Sequence, residues 1–156
     1  MIRSKLLRST WPAMLAALGL LLPALPPAAA ATTMVSIDRP VVHLRDGAGT
    51  RHEAIWKLSR GYPLQVQARR QGWLKVRDFE GDEGWVLGRL TARKPHLVVK
   101  VEVANIRSAP GTRARRVGQA RYGEVLRTLA HRSGWVRVQR QDGLTGWVAR
   151  RLLWGW

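Results

Sequence analysis

The side chains of this chain best suited to chemistry are arginines and aromatics placed beside small turn residues. Arg45 and Arg107 each precede a loop that contains glycine, and a guanidinium there offers a two-pronged donor to a carboxylate. The same group can instead staple its own loop by donating to backbone carbonyls, and the spacing is compatible with both roles. Trp73 and Trp135 follow Gly72 and Gly134 directly. An indole there combines an apolar face for stacking with one N–H donor, although a small core can also take it in. Tyr62 and Tyr122 stand next to Gly61 and Gly123 as candidates for the wall of a groove, and Arg113, Arg115 and Arg116 share one loop as a candidate anion-binding patch.

Other chemistries are poorly provided for. There is no cysteine, which excludes a disulfide framework, a thiolate metal site and a cysteine nucleophile. His43, His52, His96 and His131 follow no metal-binding spacing, and none has a pair of carboxylates near it in sequence. Asp78, Glu80 and Asp82 superficially resemble a calcium loop but lack its length and terminal glutamate, so a solvated turn is expected. No Ser-His-Asp order, phosphate loop or glycosidase-like carboxylate pair stands out. The expectation is a protein without catalytic residues, metal or cofactor.

The charge is strongly one-sided. Lys and Arg outnumber Asp and Glu by 27 to 10, a formal net charge of +17. A cationic surface of this kind collects anionic partners. Residues 32–92 carry 10 basic and 7 acidic side chains, whereas residues 96–156 carry 12 and 3, which predicts an electropositive patch in the second half against which the acidic turn of the first half can dock. Arg3, Lys5 and Arg8, an apolar stretch from Trp11 to Leu25, and the small residues after Pro26-Pro27 read as a secretory signal peptide over residues 1–31. Pro23, Pro26 and Pro27 break that stretch well short of the roughly 20 apolar residues a spanning helix needs. A periplasmic or secreted protein with no integral span in its mature chain is predicted. That destination makes nucleic acid an unsuitable partner and anionic envelope polymers suitable ones.

The elements that must position these side chains come in two copies. Shifting the chain by 62 positions lays residues 41–90 on residues 103–152 without a gap, aligning five glycine pairs and two tryptophan pairs. Within the first copy the apolar pattern has period two and the punctuation is glycine, as in short strands joined by tight turns. Strands are predicted over Val41–Arg45, Ala54–Leu58, Leu64–Arg69, Trp73–Arg77 and Gly84–Leu87, with a single helical turn at Gly88–Leu90. Five short strands in some 55 residues imply a small bent barrel, a closed form that removes exposed sheet edges. Thr91–His96 joins the copies and is too short for a free tether, so the barrels are expected to touch.

The series Leu44-Arg45, Gly49-Thr50, Gly61, Gly72-Trp73, Val76, Gly81 and Gly84-Trp85-Val86, matched again by Ile106-Arg107, Ala109-Pro110-Gly111-Thr112, Gly134-Trp135, Val138 and Gly146-Trp147-Val148, resembles the bacterial SH3-like domain. The resemblance implies an all-β chain of two tandem small SH3-like barrels, residues 32–92 and 93–156, after a cleaved signal peptide. It also implies a targeting or adhesion module, commonly for peptidoglycan peptides and often found beside a wall hydrolase. With the charge and the export signal, the expected partner is peptidoglycan or another anionic envelope polymer, and the alternative is an adaptor for an envelope protein without wall affinity. Gly47-Ala48 departs from the small-then-proline pair that Ala109-Pro110 keeps, so the first loop is expected to differ in shape.

Overall fold

The computed structural model describes residues 32–156. Residues 1–31, on which the leader reading falls, lie outside them. The first copy forms β1 (Met34–Ile37), β2 (Val41–Arg45), β3 (Ala54–Ser59), β4 (Pro63–Arg70), β5 (Trp73–Arg77), β6 (Glu83–Leu87) and β7 (Thr91–Ala92), with a 3-10 turn at Gly88–Leu90. Sixty-two positions further on, the second forms β8 (His96–Val99), β9 (Val103–Arg107), β10 (Arg116–Arg121), β11 (Val125–Arg132), β12 (Trp135–Gln139), β13 (Thr145–Ala149) and β14 (Leu153–Gly155), with its 3-10 turn at Arg150–Leu152. Each copy is one antiparallel seven-stranded sheet, ordered β3-β2-β6-β5-β4-β1-β7 and β10-β9-β13-β12-β11-β8-β14.

The sequence pattern underestimates the strand count by two per copy. β1, β7, β8 and β14 were not expected, and the joint shrinks from Thr91–His96 to residues 93–95. Period two is hidden in β8 because Leu97, Val98 and Val99 are all buried, so both faces of the strand are apolar. Alternation holds in β2, β5 and β6 and in their copies β9, β12 and β13: in β5 Leu74 and Val76 are buried while Trp73, Lys75 and Arg77 face outward.

Curvature comes from bulges placed identically in the two copies. Ile55 and Val117 are passed over in the pairing of β3 with β2 and of β10 with β9. Gln67 and Leu129 are passed over where β4 meets β5 and β11 meets β12. Each extra residue bends its strand and raises the twist, which lets so short a sheet curl on itself. The β4–β5 and β11–β12 hairpins turn on Gln71-Gly72 and Ser133-Gly134, all four at positive φ, the type I′ geometry that matches strand twist. Gly84 and Gly146 are required for another reason. A Cβ on Gly84 would lie 2.6 Å from Leu44 Cγ, and one on Gly146 would lie 2.5 Å from Ile106 Cγ2, so neighbouring strands cross the core with no room for a side chain.

Each sheet encloses its own core, one centred on Leu44, Leu64, Val76 and Val86, the other on Ile106, Leu126, Val138 and Val148. Full burial of each such side chain contributes about 1.5–3 kcal/mol. The barrels touch. Gly155 of β14 packs against Pro63 of β4, and Gly61 packs against His96 and Val125. The Ser36 hydroxyl donates to the Lys94 carbonyl at 2.9 Å and ties the joint to β1.

Candidate ligand-binding site

The loop arginines behave alike in both copies. At the end of β2, Arg45 Nη1 donates to the His52 carbonyl at 2.7 Å; at the end of β9, Arg107 Nη1 donates to the Ala114 carbonyl at 2.7 Å. Both bonds reach seven residues along the chain, so one arm of each guanidinium holds its own loop. Arg113 and Arg115 are exposed in that second loop and Arg116 is exposed at the start of β10, and the loop backbone is further fixed by the Ser108 N–H donating to the Arg115 carbonyl at 2.9 Å.

Trp73 follows the tight Gln71-Gly72 turn, and the bulge in β4 lies at Gln67, too far from Gly72 to reverse the facing of β5. The indole therefore stays outside the core, half-buried, and lines a cleft of about 580 Å³. Four arginines share that cleft: Arg69 and Arg70 from the end of β4, Arg89 from the 3-10 turn and Arg93 from the joint. No acidic residue lines it. None of the four arginines forms an ion pair among the described residues. The arrangement combines a stacking surface with a concentration of positive charge, as the binding of an anionic or carboxylate-bearing chain requires. Sequence reasoning singled out Trp73 and missed the arginines. The signal was present, because Arg70 and Arg89 recur as Arg132 and Arg151 in the second copy.

Trp135 is likewise half-buried on the outer side of β12, but its surroundings differ. Thr91 and Ala92 of the first cleft correspond to Leu153 and Trp154, and Gly88 corresponds to Arg150. Arg150 is engaged at 2.8 Å with both the Leu153 and the Gly155 carbonyls. Leu153 is buried in the second core, whereas Thr91 is part of the cleft wall.

The tyrosines do not line this cleft. Tyr62 and Tyr122 come together on either side of Phe79, with ring centroids 6.3 and 5.4 Å from it. The acidic turn of the first barrel thus reaches the second through an aromatic contact. Tyr122 Oη donates to Glu80 Oε1 at 2.5 Å and Tyr62 Oη to Asp78 Oδ2 at 3.2 Å. Burial and the adjoining Asp78 carboxylate push the Tyr62 phenol up, and the hydrogen bond to Glu80 does the same for Tyr122.

The acidic turn is solvated at Glu80, Asp82 and Glu83, which are exposed, but Asp78 departs from that expectation at only 7% exposed. Its Oδ1 accepts the N–H groups of Glu80 and Asp82, each at 2.9 Å. Carboxylate oxygens of Asp78, Glu80 and Asp82 lie within 4.8 Å of one another, and the hydrogen bonds to Asp78 account for that spacing as the closure of a turn.

Residues 39–91 and residues 102–153 each match a family described as Bacterial SH3 domain. No curated protein matches the chain. Among solved structures, NlpC2 from Trichomonas vaginalis is 16% identical over 79% of this chain and 48% of its own (TM-score 0.37), and NlpC1 from the same organism is 17% identical over 88% and 50% (TM-score 0.37). An NlpC/P60 family protein from Bacillus cereus is 14% identical over 80% and 56%, with a TM-score of 0.34. The chain spans about half the length of these structures. With two barrels of one strand order, the shared arginine staples and a family match to each copy, the chain belongs to the bacterial SH3 domain family, as a tandem pair.

Proposed function

We propose that this is a non-catalytic exported binding module, a leader over residues 1–31 followed by domains at 32–92 and 93–156, that recognises a cell-envelope component such as the stem peptides of peptidoglycan. The observation that carries the reading is the cleft beside Trp73, bordered by four arginines without a carboxylate partner. A stem peptide offers free carboxylates on an extended backbone of small side chains, which suits guanidinium donors around one indole. Arg113, Arg115 and Arg116 supply further positive charge on the second barrel, while Arg45 and Arg107 shape the loops. No helix among the described residues is long and apolar enough to cross a membrane.

The test is a pull-down of the purified full chain on sacculi in rising salt. Retention at low salt that fades as the charges are screened is expected. Trp73→Ala combined with Arg69→Gln and Arg70→Gln should abolish retention with little change in melting temperature. A chain that stays in the supernatant at low salt ends this reading.

One observation favours a protein adaptor without wall affinity. The edge strand β3 exposes Ile55 at 40% and Trp56 at 56%, and exposed edges pair with other chains. Failure on sacculi together with self-association that Trp56→Ser removes would select it.

A further inference from the structure

The Trp73 cleft does not stand alone. Arg93 borders it and also borders a second cleft of about 710 Å³ beside the joint. Arg60, His96 and Arg127 in turn border both that cleft and a third, of about 1070 Å³, which runs along the second barrel. Arg60 belongs to the first barrel and Arg127 to β11 of the second, so both barrels build the middle of this path. We propose that the three clefts form one track for a linear polyanion, a polymer with a carboxylate or phosphodiester on each repeat unit, laid across the junction of the barrels.

The charges along the path support this. Its acidic residues are Asp38, Glu124 and Asp142. Asp38 is paired with Lys94 at 2.7 Å and with Arg39 at 3.3 Å. Glu124 lies 3.6 Å from Arg140, which also holds Asp142. The protein's own carboxylates are thus engaged by Arg39, Lys94 and Arg140. Arg60, Arg121 and Arg127, like the four arginines at Trp73, have no ion-pair partner among the described residues. Seven like charges facing a common path repel one another unless something outside the protein neutralises them. A short peptide with one or two carboxylates would reach only one end.

The lining also selects the ligand's backbone. No Trp, Tyr or Phe borders the second and third clefts, and Gln119, Gln139 and Gln141 offer amides in the third, which suits a hydrophilic sugar or polyol chain. The inference rests on the reading of the chain as an envelope-binding module and adds the ligand's chemistry, its length and the need for both barrels.

The experiment titrates the purified full chain with fluorescent polygalacturonate, for carboxylates, and with polyglycerol phosphate, for phosphodiesters, each as short and as long chains. Long chains of at least one polymer should bind about a hundredfold more tightly than short ones, since a second barrel adds an intramolecular contact. The polymer that shows the gain identifies the anionic group. Arg60→Gln with Arg127→Gln should remove the gain while leaving binding of the short chains, and should flatten the slope of log affinity against log salt by roughly 1–2. Affinity independent of length overturns the track, as does a gain lost on Arg113→Gln, Arg115→Gln and Arg116→Gln but kept without Arg60 and Arg127. Retention on sacculi with neither polymer bound overturns the track and leaves the module reading standing. Length-dependent binding of a polymer without retention on sacculi removes the peptidoglycan ligand and supports the track.

Discussion

The two barrels share a backbone almost residue for residue and differ at the ends of their sheets. Bulges, hairpin turns, pinched glycines and arginine staples fall at positions separated by the same 62 residues. The residues at the surface do not repeat. Thr91, Ala92 and Arg93 border a cleft in the first barrel, where the second has Leu153, Trp154 and Gly155, with Arg150 holding their carbonyls. At the other side, Trp56 and Asp82 of the first barrel correspond to Gly118 and Leu144, and Leu144 lies directly over Gly118 where a Cβ would go. Positions that shape the backbone are thus the same in both copies, while positions that shape the surface have diverged, leaving the first barrel with the open tryptophan cleft and the second with a filled core edge and most of the charge.

The strongest way to break this equivalence is through the cores. Leu44 and Ile106 occupy matching positions, each buried and each pressed against a glycine. Leu44→Ala and Ile106→Ala should each cost about 2–5 kcal/mol, the usual range for deleting a large buried side chain. Chemical denaturation checks it. An unchanged midpoint for either would mean that its barrel is not held together by packing around that side chain.

The difference at the sheet ends is sharpened by grafting one barrel's residues onto the other. Thr91→Leu with Ala92→Trp gives the first barrel the second barrel's side chains and should fill the cleft beside Trp73. Retention on sacculi is expected to fall about tenfold, or about 1.4 kcal/mol, with the melting temperature held or raised. Retention that survives the graft would detach ligand binding from this cleft. A smaller and symmetric effect is expected at the staples, where Arg45→Ala and Arg107→Ala should each cost about 1 kcal/mol for one lost hydrogen bond to a carbonyl. Unequal losses would show that the first loop, with Gly47-Ala48 in place of Ala109-Pro110, depends on its arginine to a different degree.

How much of this the sequence made legible depended on distance along the chain. The repeat and the helical turn at Gly88–Leu90 rest on neighbouring residues and were readable; the alternation that turns Trp73 outward was readable too, but not whether a bulge beside Gly72 reverses it, which the bulge at Gln67 decides. The role of Arg45 was open because a guanidinium beside a loop suits a carbonyl and a carboxylate equally, and only the 2.7 Å bond to His52 shows which group it meets in the folded chain. The arginines at Trp73 come from a hairpin end, a 3-10 turn and the joint, so no local pattern gathers them. Tyr62 and Tyr122 sit on opposite sides of their turn glycines, out of register in the repeat. Their meeting across Phe79 is a property of how the barrels pack, which no single copy encodes.

The smallest predicted effect separates the copies at β1 and β8, where Met34 of one corresponds to His96 of the other. His96 is half-buried at the junction, close against Gly61, with Nδ1 2.9 Å from the Lys94 carbonyl oxygen, and its own carbonyl accepts the Trp156 N–H at 3.2 Å. Burial holds its pKa below the ordinary 6.5, and the nearby Arg127 and Lys94 charges act in the same direction against the hydrogen bond to Lys94. A proton is therefore bound more readily by the unfolded chain than by the folded one, and stability rises with pH wherever that difference is populated. The contribution of neutral His96 is fully present above about pH 6.5 and declines as the pH falls through that value toward the lower folded pKa. Asp38, Glu83 and Asp142, whose pKa values are lowered by Lys94, Lys75 and Arg140 respectively, act only in more acid solution, so the windows separate. Melting temperatures measured between about pH 7 and about pH 5 should fall for the native chain. With His96→Met, which installs the first barrel's residue, the curve should be flatter, whereas a native curve already flat across this window would mean that the junction does not exclude water from the imidazole.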